Sequence, residues 1–280
     1  MVAPSSSPSW DRVIRGLDVL RSWEFDPVVA PSVTARPLLG NLAGSDELRA
    51  ADLAAAWRDP SIAAIWCARG GYGVQRLLDR LPSGLFAEGE PKPIVGFSDV
   101  TPLLHLALTG SGHQMIHGPA VVTLGEAGTQ TRQQVLRLLT ERFTPRSLLT
   151  GLVPWRGGRV EGPLIGGNVA LLAASVGTAD LASAHGAIVL LEDVGQPAFV
   201  LDRGLTQLIR SGWLDGARGI LLGDFSMDDG PALVEEVLRD RLLPLGVPTW
   251  AGARIGHEQV NLAVPLGAWV RIDHGYLRLA

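Results

Sequence analysis

The chain has a single cysteine, Cys67, and a single lysine, Lys92, among its 280 residues. One cysteine cannot form an internal disulfide or a cysteine-based zinc site, which suits a reducing compartment. No basic run is present and the formal net charge is −4, so the basic face that binds nucleic-acid phosphates is missing. Also missing are an apolar run near the length of a membrane span, about 18 residues, and an N-terminal signal sequence. These absences predict a soluble, cytoplasmic protein without nucleic-acid or membrane partners.

Hydrophobic residues and glycine, by contrast, are plentiful. Hydrophobic residues make up 46% of the chain, which is enough for a sizeable core at this length. The 34 glycines and 19 prolines stand in short clusters between apolar segments. They therefore predict tight turns between compact elements and not a disordered chain.

Helical and strand patterns alternate in the first half of the chain. Residues 10–23 have helical spacing, whereas 62–68, 93–97 and 114–116 are short apolar runs typical of buried parallel strands. The pattern predicts an α/β domain with a flavodoxin-like, doubly wound parallel sheet and helices on both faces. Only a stub of a first strand fits into residues 1–4.

The second half has a different character. We predict an N-terminal domain over 1–142, a glycine- and proline-rich linker over 143–162, and a C-terminal domain over 163–280. Residues 269–279 alternate between apolar and polar side chains on either side of a turn at 273–275, which is typical of a β-hairpin. The C-terminal domain is therefore predicted to be α+β with antiparallel elements.

Ligands of open α/β sheets bind at the carboxyl ends of the strands. Polar side chains that follow predicted strands are thus the first candidates for a site. In this chain they are Arg69 and the glycines after it, Ser98, Asp99, His117, Glu192, Asp193 and Asp224.

Ser98 lies between a buried strand and a helix start, in the sequence Gly96-Phe97-Ser98-Asp99. A serine on such a sharp turn exposes its hydroxyl beside backbone N–H groups that could hold an oxyanion. The second glycine of the usual nucleophile turn is absent. Ser98 or Asp99 could instead be the N-cap of the next helix, which is the commoner use of a serine there.

The loop Arg69-Gly70-Gly71-Tyr72-Gly73 offers backbone N–H groups to an oxyanion or a phosphate. It lacks the ending of a P-loop and the spacing of a dinucleotide-binding loop, so nucleotide binding is not predicted. The alternative is a tight strand-to-helix turn with no binding role.

Among six histidines, His257 stands in a glycine-led loop of the second half and is a candidate general base, although a lone loop histidine is more often a solvated residue. Glu192 and Asp224 end equivalent strands, and spacing does not choose between them. No metal-binding motif is present, so neither a metal nor another cofactor is predicted.

In combination these loops resemble the LD-carboxypeptidase family of serine peptidases (family S66), which includes muramoyltetrapeptide carboxypeptidases and microcin C immunity proteins. The resemblance covers nearly the whole chain. Segments that carry it, besides the Gly70 and Ser98 loops, are Ala3-Pro4-Ser5-Ser6, His117-Gly118-Pro119, Gly166-Gly167-Asn168, Leu191-Glu192-Asp193, Asp202-Arg203-Gly204 and Gly256-His257.

The resemblance implies a nucleophile at Ser98, a general base at His257 and an orienting carboxylate at Glu192. It further implies an oxyanion hole built from the N–H groups of Gly71 and Asp99. The implied reaction removes a terminal D-alanine from a murein tetrapeptide during peptidoglycan recycling, in a homodimeric enzyme. Alternatives are a microcin C-type immunity peptidase and a non-catalytic two-domain binder.

Arg69 and Arg203 are the candidates for binding the free carboxylate of such a substrate. Selection of a free C-terminus requires a cation or a cluster of N–H groups. For Arg203 a salt bridge at the start of a helix is an equally good explanation.

Overall fold

The computed structural model describes residues 1–141 and 147–280. The start of the predicted linker, 143–146, lies outside the described residues. The α-helices are α1 (Trp10–Ser22), α2 (Asp46–Arg58), α3 (Val74–Leu78), α4 (Thr101–Ser111), α5 (Val121–Leu124), α6 (Thr129–Thr140), α7 (Val169–Ala174), α8 (Ala198–Arg210) and α9 (Pro231–Leu242). The strands are β1 (Ile65–Trp66), β2 (Ile94–Gly96), β3 (Met115–His117), β4 (Ser147–Leu149), β5 (Val153–Arg156), β6 (Val160–Asn168), β7 (Ile188–Val194), β8 (Gly219–Ser226), β9 (Thr249–Ala251), β10 (Val264–Leu266), β11 (Trp269–Asp273) and β12 (Tyr276–Leu279).

The first sheet has the order β1-β2-β3-β10. Its first three strands are parallel, and β10 returns from the second half of the chain to pair antiparallel with β3. Beside β1, Val2 forms a single parallel bridge to Cys67, which is the stub of a first strand that the sequence predicts.

The second sheet has the order β4-β12-β11-β6-β7-β8-β9-β5. Strands β6 to β9 are parallel, whereas β11 and β12 form the predicted antiparallel hairpin, with positive φ at His274 and Gly275. This combination of two domains with parallel and antiparallel strands confirms the predicted fold class.

Part of the segment predicted as a linker is built into the second sheet. Strand β4 pairs with β12 and β5 pairs with β9, at the two edges of the sheet. Leu148, Leu149 and Leu152 are buried there, so this segment gains apolar burial that a free linker would lack.

Strand β7 forms the boundary between two hydrophobic clusters. Ile188 and Leu190 pack in the cluster that contains the first domain, while Val189 and Leu191 pack in the cluster formed with α7, α8 and α9. Because side chains alternate along a strand, Glu192 continues the face directed at the first domain. No helix in the two described ranges is long and apolar enough to cross a bilayer.

Candidate active site

Ser98 lies on a sharp turn between β2 and α4. Its φ is +63°, a left-handed conformation that is uncommon for a residue other than glycine. Its carbonyl accepts a hydrogen bond of 2.8 Å from the hydroxyl of Thr101. No side chain caps the short 3₁₀ turn that begins at Ser98 or the helix α4 after it. Ser98 is therefore not a helix cap, and its left-handed φ is backbone strain of the kind that collects at functional sites.

Two glycines allow this turn to be so tight. A Cβ on Gly70 would lie 3.1 Å from Ser98 Cβ, and a Cβ on Gly96 would lie 2.9 Å from a methyl group of Val100. A side chain at either position would displace the turn. The glycine loop and the serine turn are therefore in direct contact, a geometry that would suit a nucleophile and an oxyanion hole.

The glycine loop is held by the N-terminal segment. The N–H of Tyr72 donates to Ser6 Oγ at 3.0 Å, and the N–H of Ser6 donates to the Gly70 carbonyl at 3.3 Å. Gly71 has a φ of +105°. Within the described residues its N–H has no hydrogen-bond acceptor, so it is free to bind an anion.

Two buried charged residues hold the same loop in place through hydrogen bonds. The sequence did not predict this role for either residue. Asp99 accepts the N–H of Val74 at 2.9 Å, and burial raises the pKa of this carboxyl group. Arg49 is fully buried and donates to the Gly73 carbonyl at 2.9 Å. Its signal in the sequence is a charge at helical spacing from Leu53 on the buried face of α2.

His257 and Glu192 form a direct pair. His257 Nδ1 lies 2.9 Å from Glu192 Oε2, and the two side chains are 19% and 0% exposed. An ionised carboxylate can only accept, so it fixes the imidazole with its proton on Nδ1. The lone pair of Nε2 is then available to take a proton, which is the arrangement of a general base and its orienting carboxylate.

Two more glycines make room for this pair. A Cβ on Gly256, at φ +139°, would lie 3.1 Å from Glu192 Oε2, and a Cβ on Gly223 would lie 3.1 Å from Glu192 Cβ. The Gly256 N–H donates to Asn261 Oδ1 at 3.2 Å. The loop that carries His257 is thereby set against the end of β7.

His257 lies beside the Ser98 turn. The ring of Phe97, the residue before Ser98, packs on the His257 ring with centroids 4.8 Å apart. Both rings line a cavity of about 300 Å³. On its other side Phe97 meets His117 edge-to-face at 6.1 Å, and burial lowers the pKa of His117 to about 4. His117 is therefore a buried neutral group at neutral pH.

A hydrogen-bonded chain connects the Ser98 turn to the second domain. The Asn168 N–H donates to Thr101 Oγ1 at 3.2 Å, and Thr101 in turn bonds the Ser98 carbonyl. The Asn168 side chain caps α7 and donates to Asp193 at 3.0 Å. Sequence reasoning assigned no role to Thr101, because its partner is distant in the chain.

Three other residues that the sequence predicted for the site, Asp224, Arg69 and Arg203, have different contacts. Among the described residues Asp224 forms no hydrogen bond with His257. Burial, together with the charges of Glu258 and Glu192, raises the pKa of Asp224 to about 7. Arg69 donates to the Ser7 carbonyl at 3.2 Å. Arg203 has an exposed side chain stacked over the exposed ring of Phe199.

Metal binding is not indicated within residues 1–141 and 147–280, where no group of three or more His, Cys, Asp or Glu side chains could hold an ion. What the geometry offers is a strained serine, free backbone N–H groups, and a histidine oriented by a buried carboxylate. These are the parts required for acyl transfer through a serine nucleophile.

Comparison with known proteins supports the same chemistry. A relative from Streptomyces coelicolor is 44% identical, with 98% of this chain and 89% of that protein covered. The murein tetrapeptide carboxypeptidase of Pseudomonas aeruginosa is 34% identical over 99% of this chain and 94% of its own length.

Solved structures agree in fold. The crystal structure of muramoyltetrapeptide carboxypeptidase from Oxalobacter formigenes superposes with a TM-score of 0.84 at 26% identity, covering 99% of this chain and 96% of that one. An MccF-like protein from Bacillus anthracis gives 0.90 at 22% identity, covering 99% and 94%, which shows a common fold. The profile of the LD-carboxypeptidase N-terminal domain matches residues 1–118, and that of the C-terminal domain matches 161–272. The chain therefore belongs to the LD-carboxypeptidase family and is a serine-type carboxypeptidase.

Proposed function

We propose that this protein releases the terminal D-alanine from murein tetrapeptides, cleaving the amide bond between an L-centre and the D-residue. The observation that carries the proposal is the His257–Glu192 pair, set against the ring that precedes Ser98. The named activity of the Pseudomonas aeruginosa relative supports the choice of substrate.

In the proposed mechanism the nucleophile comes from residues 1–142 and the other two groups from 163–280. His257 Nε2 takes the proton of the Ser98 hydroxyl as Oγ attacks the scissile carbonyl. The protonated imidazole, stabilised by Glu192, gives that proton to the leaving amine, and D-alanine departs. Water then attacks the acyl-enzyme while His257 takes its proton, and the imidazolium gives that proton to Ser98 Oγ as the peptide acid is released, which restores the free serine.

We assign the oxyanion hole to the N–H groups of Gly71 and Asp99. Support comes from the free N–H of Gly71 and from the contact between the glycine loop and the Ser98 turn. Loss of one such donor costs about 100- to 1,000-fold in rate. Arg69, adjacent to this loop, and Arg203 are candidates for the substrate carboxylate.

A cytoplasmic place in peptidoglycan recycling and a homodimeric state belong to the same proposal. They rest on the family resemblance and on the single cysteine, Cys67, which is buried. Cell fractionation and analytical ultracentrifugation test these two parts.

The activity is tested by incubating the purified protein with a murein tetrapeptide and measuring free D-alanine. The Ser98→Ala variant is expected to lose about 10,000-fold or more in kcat/KM, because the nucleophile is removed. Ser111→Ala, which changes a serine whose hydroxyl bonds only nearby backbone groups, the Ala107 carbonyl and the His113 N–H, is the matched control and should retain activity. Absence of release by the wild type, or undiminished release by Ser98→Ala, contradicts the proposal.

A second substrate class is favoured by one observation, the close fold similarity to the MccF-like protein. An immunity-type peptidase would hydrolyse the amide of an aminoacyl nucleotide instead of a murein peptide. Parallel assays with an aminoacyl sulfamoyl adenosine decide between them. A non-catalytic binder would cleave neither compound.

A further inference from the structure

We propose that Arg12, on the first turn of α1, binds the C-terminal carboxylate of the substrate and selects for a free C-terminus. This inference rests on the proposed carboxypeptidase mechanism and assigns a specificity residue to it. Arg12 lines the cavity of about 300 Å³ that His257 and Phe97 also line.

The position follows from the chemistry of the leaving group. His257 must reach the amine nitrogen of the departing D-residue in order to protonate it. Amine and carboxylate share one Cα, so a carboxylate oxygen lies within about 4 Å of that nitrogen. We therefore place the carboxylate, and the cation that binds it, in the cavity that His257 lines next to the Ser98 turn. Arg12 is in that cavity lining, whereas Arg69 and Arg203 are not.

The guanidinium of Arg12 is held in place, but not all of its hydrogen-bond donors have a partner. Its Nη2 donates to Glu126 Oε2 at 2.7 Å, and Arg15 Nη2 donates to Glu126 Oε1 at 2.7 Å. Arg12 Nε is buried and has no hydrogen-bond partner among the described residues. The guanidinium donors that Glu126 does not use, Nη1 among them, remain for a carboxylate in the cavity.

The charges around the cavity favour binding of the substrate carboxylate at the side of Arg12. The guanidinium of Arg12 in the cavity lining and that of Arg15 outside it share the single carboxylate of Glu126, so these three side chains together carry one net positive charge. Glu258 also lines the cavity and accepts the hydroxyl of Ser226. Because that carboxylate repels an anion, the substrate carboxylate belongs at the Arg12 side.

The test compares two substrates of the full-length enzyme, a murein tetrapeptide that ends in D-alanine and the same peptide that ends in D-alaninamide. The wild type is expected to prefer the acid. Arg12→Gln should lower kcat/KM for the acid about 10- to 100-fold, the effect of one charge-assisted contact, and should do so at least ten times more than for the amide. Arg12→Lys, which keeps the charge, should recover part of the preference.

Arg15→Gln is the matched control, because Arg15 bonds the same carboxylate without lining the cavity; it should keep the preference for the acid. Arg69→Gln and Arg203→Gln complete the panel. If Arg12→Gln keeps the preference, loses both activities equally, or is matched by Arg69→Gln, the assignment to Arg12 is overturned. It is also overturned if the wild type shows no preference. If the wild type cleaves neither peptide, the proposed function itself fails.

Discussion

At the scale of single residues, Ser98 shows how the fold stores strain where the proposed chemistry takes place. A left-handed φ costs a non-glycine residue about 1–2 kcal/mol, and Ser98 adopts it on a turn that packs closely against the glycine loop, with the Val100 side chain close to Gly96. The strain keeps the hydroxyl presented toward the loop of N–H groups in the absence of substrate.

This strain predicts an unusual order of stability. Ser98→Gly and Ser98→Ala should both be inactive, but the glycine variant should unfold with a free energy about 1 kcal/mol higher than the alanine variant, because glycine adopts positive φ without cost. Urea denaturation measures the difference. At Ser111, the last residue of α4, where φ is not positive, the glycine variant should have no such advantage. Equal stability of the two Ser98 variants would show that the turn is not strained.

The sequence predicts the turn itself, since a buried strand, a serine and a helix start follow one another. It does not predict the positive φ of Ser98, because serine has no preference for that conformation. Nor does it predict the buried Arg49 beneath the loop, which reads locally as one more polar residue of a helix. Both depend on which segments of the fold meet there.

At the scale of elements, α4 is joined to the second sheet through His105. Its Nδ1 accepts the N–H of Ala182 at 3.2 Å, and its Nε2 lies 3.0 Å from the Gly166 carbonyl. The first contact requires an unprotonated Nδ1, so His105 is the neutral Nε2–H tautomer. Burial lowers its pKa from 6.5 to about 4.

The lowered pKa predicts an acid-dependent loss of stability. Between pH 6.5 and 4, His105 is protonated in the unfolded state and neutral in the folded state. The contribution of His105 to the free energy of unfolding therefore falls as the pH falls through that range. In urea titrations at pH 7 and 4.5, His105→Gln should lose less stability on acidification than the wild type, by on the order of 2 kcal/mol. His274→Gln, at a side chain 88% exposed, should behave as the wild type does. Identical losses in His105→Gln and the wild type would contradict the prediction.

Element types and their order follow from the sequence more directly than their pairing does. The helical pattern over 10–23 matches α1, and the alternation at the end of the chain matches the β11–β12 hairpin. The pairing of β10 with β3 was not predicted. A strand of three residues carries too little periodicity to indicate a sheet whose other strands lie about 150 to 200 positions earlier.

At the scale of the whole molecule, the relative position of the two domains sets the site. Ser98 and the glycine loop come from the first domain, while Glu192 and His257 come from the second. The chain from Asn168 through Thr101 to the Ser98 carbonyl links them directly. It is therefore the contact whose removal should affect stability and turnover together.

Thr101→Val tests this coupling, because valine keeps the shape and removes the hydroxyl. The buried Asn168 N–H would lose its acceptor, so the free energy of unfolding should fall by about 1–3 kcal/mol and kcat should fall as well. Thr109→Val is the matched control, since Thr109 Oγ1 bonds only carbonyls of its own helix. A Thr101→Val variant with wild-type stability and kcat would show that the link has no such role.

The sequence by itself determined the class of fold, the strand ends at which polar residues gather, and the glycine-rich turns between them. These depend on periodicity and on backbone conformations that few residues adopt, both of which are local. Only the tertiary structure decided which of these ends meet. Glu192 and Asp224 are equivalent in spacing and only the family resemblance favours Glu192, yet in the fold Glu192 lies against His257, 65 positions away. The reason is physical: strand alternation directs Glu192 toward the first domain, and the glycines at 223 and 256 let the histidine loop approach it.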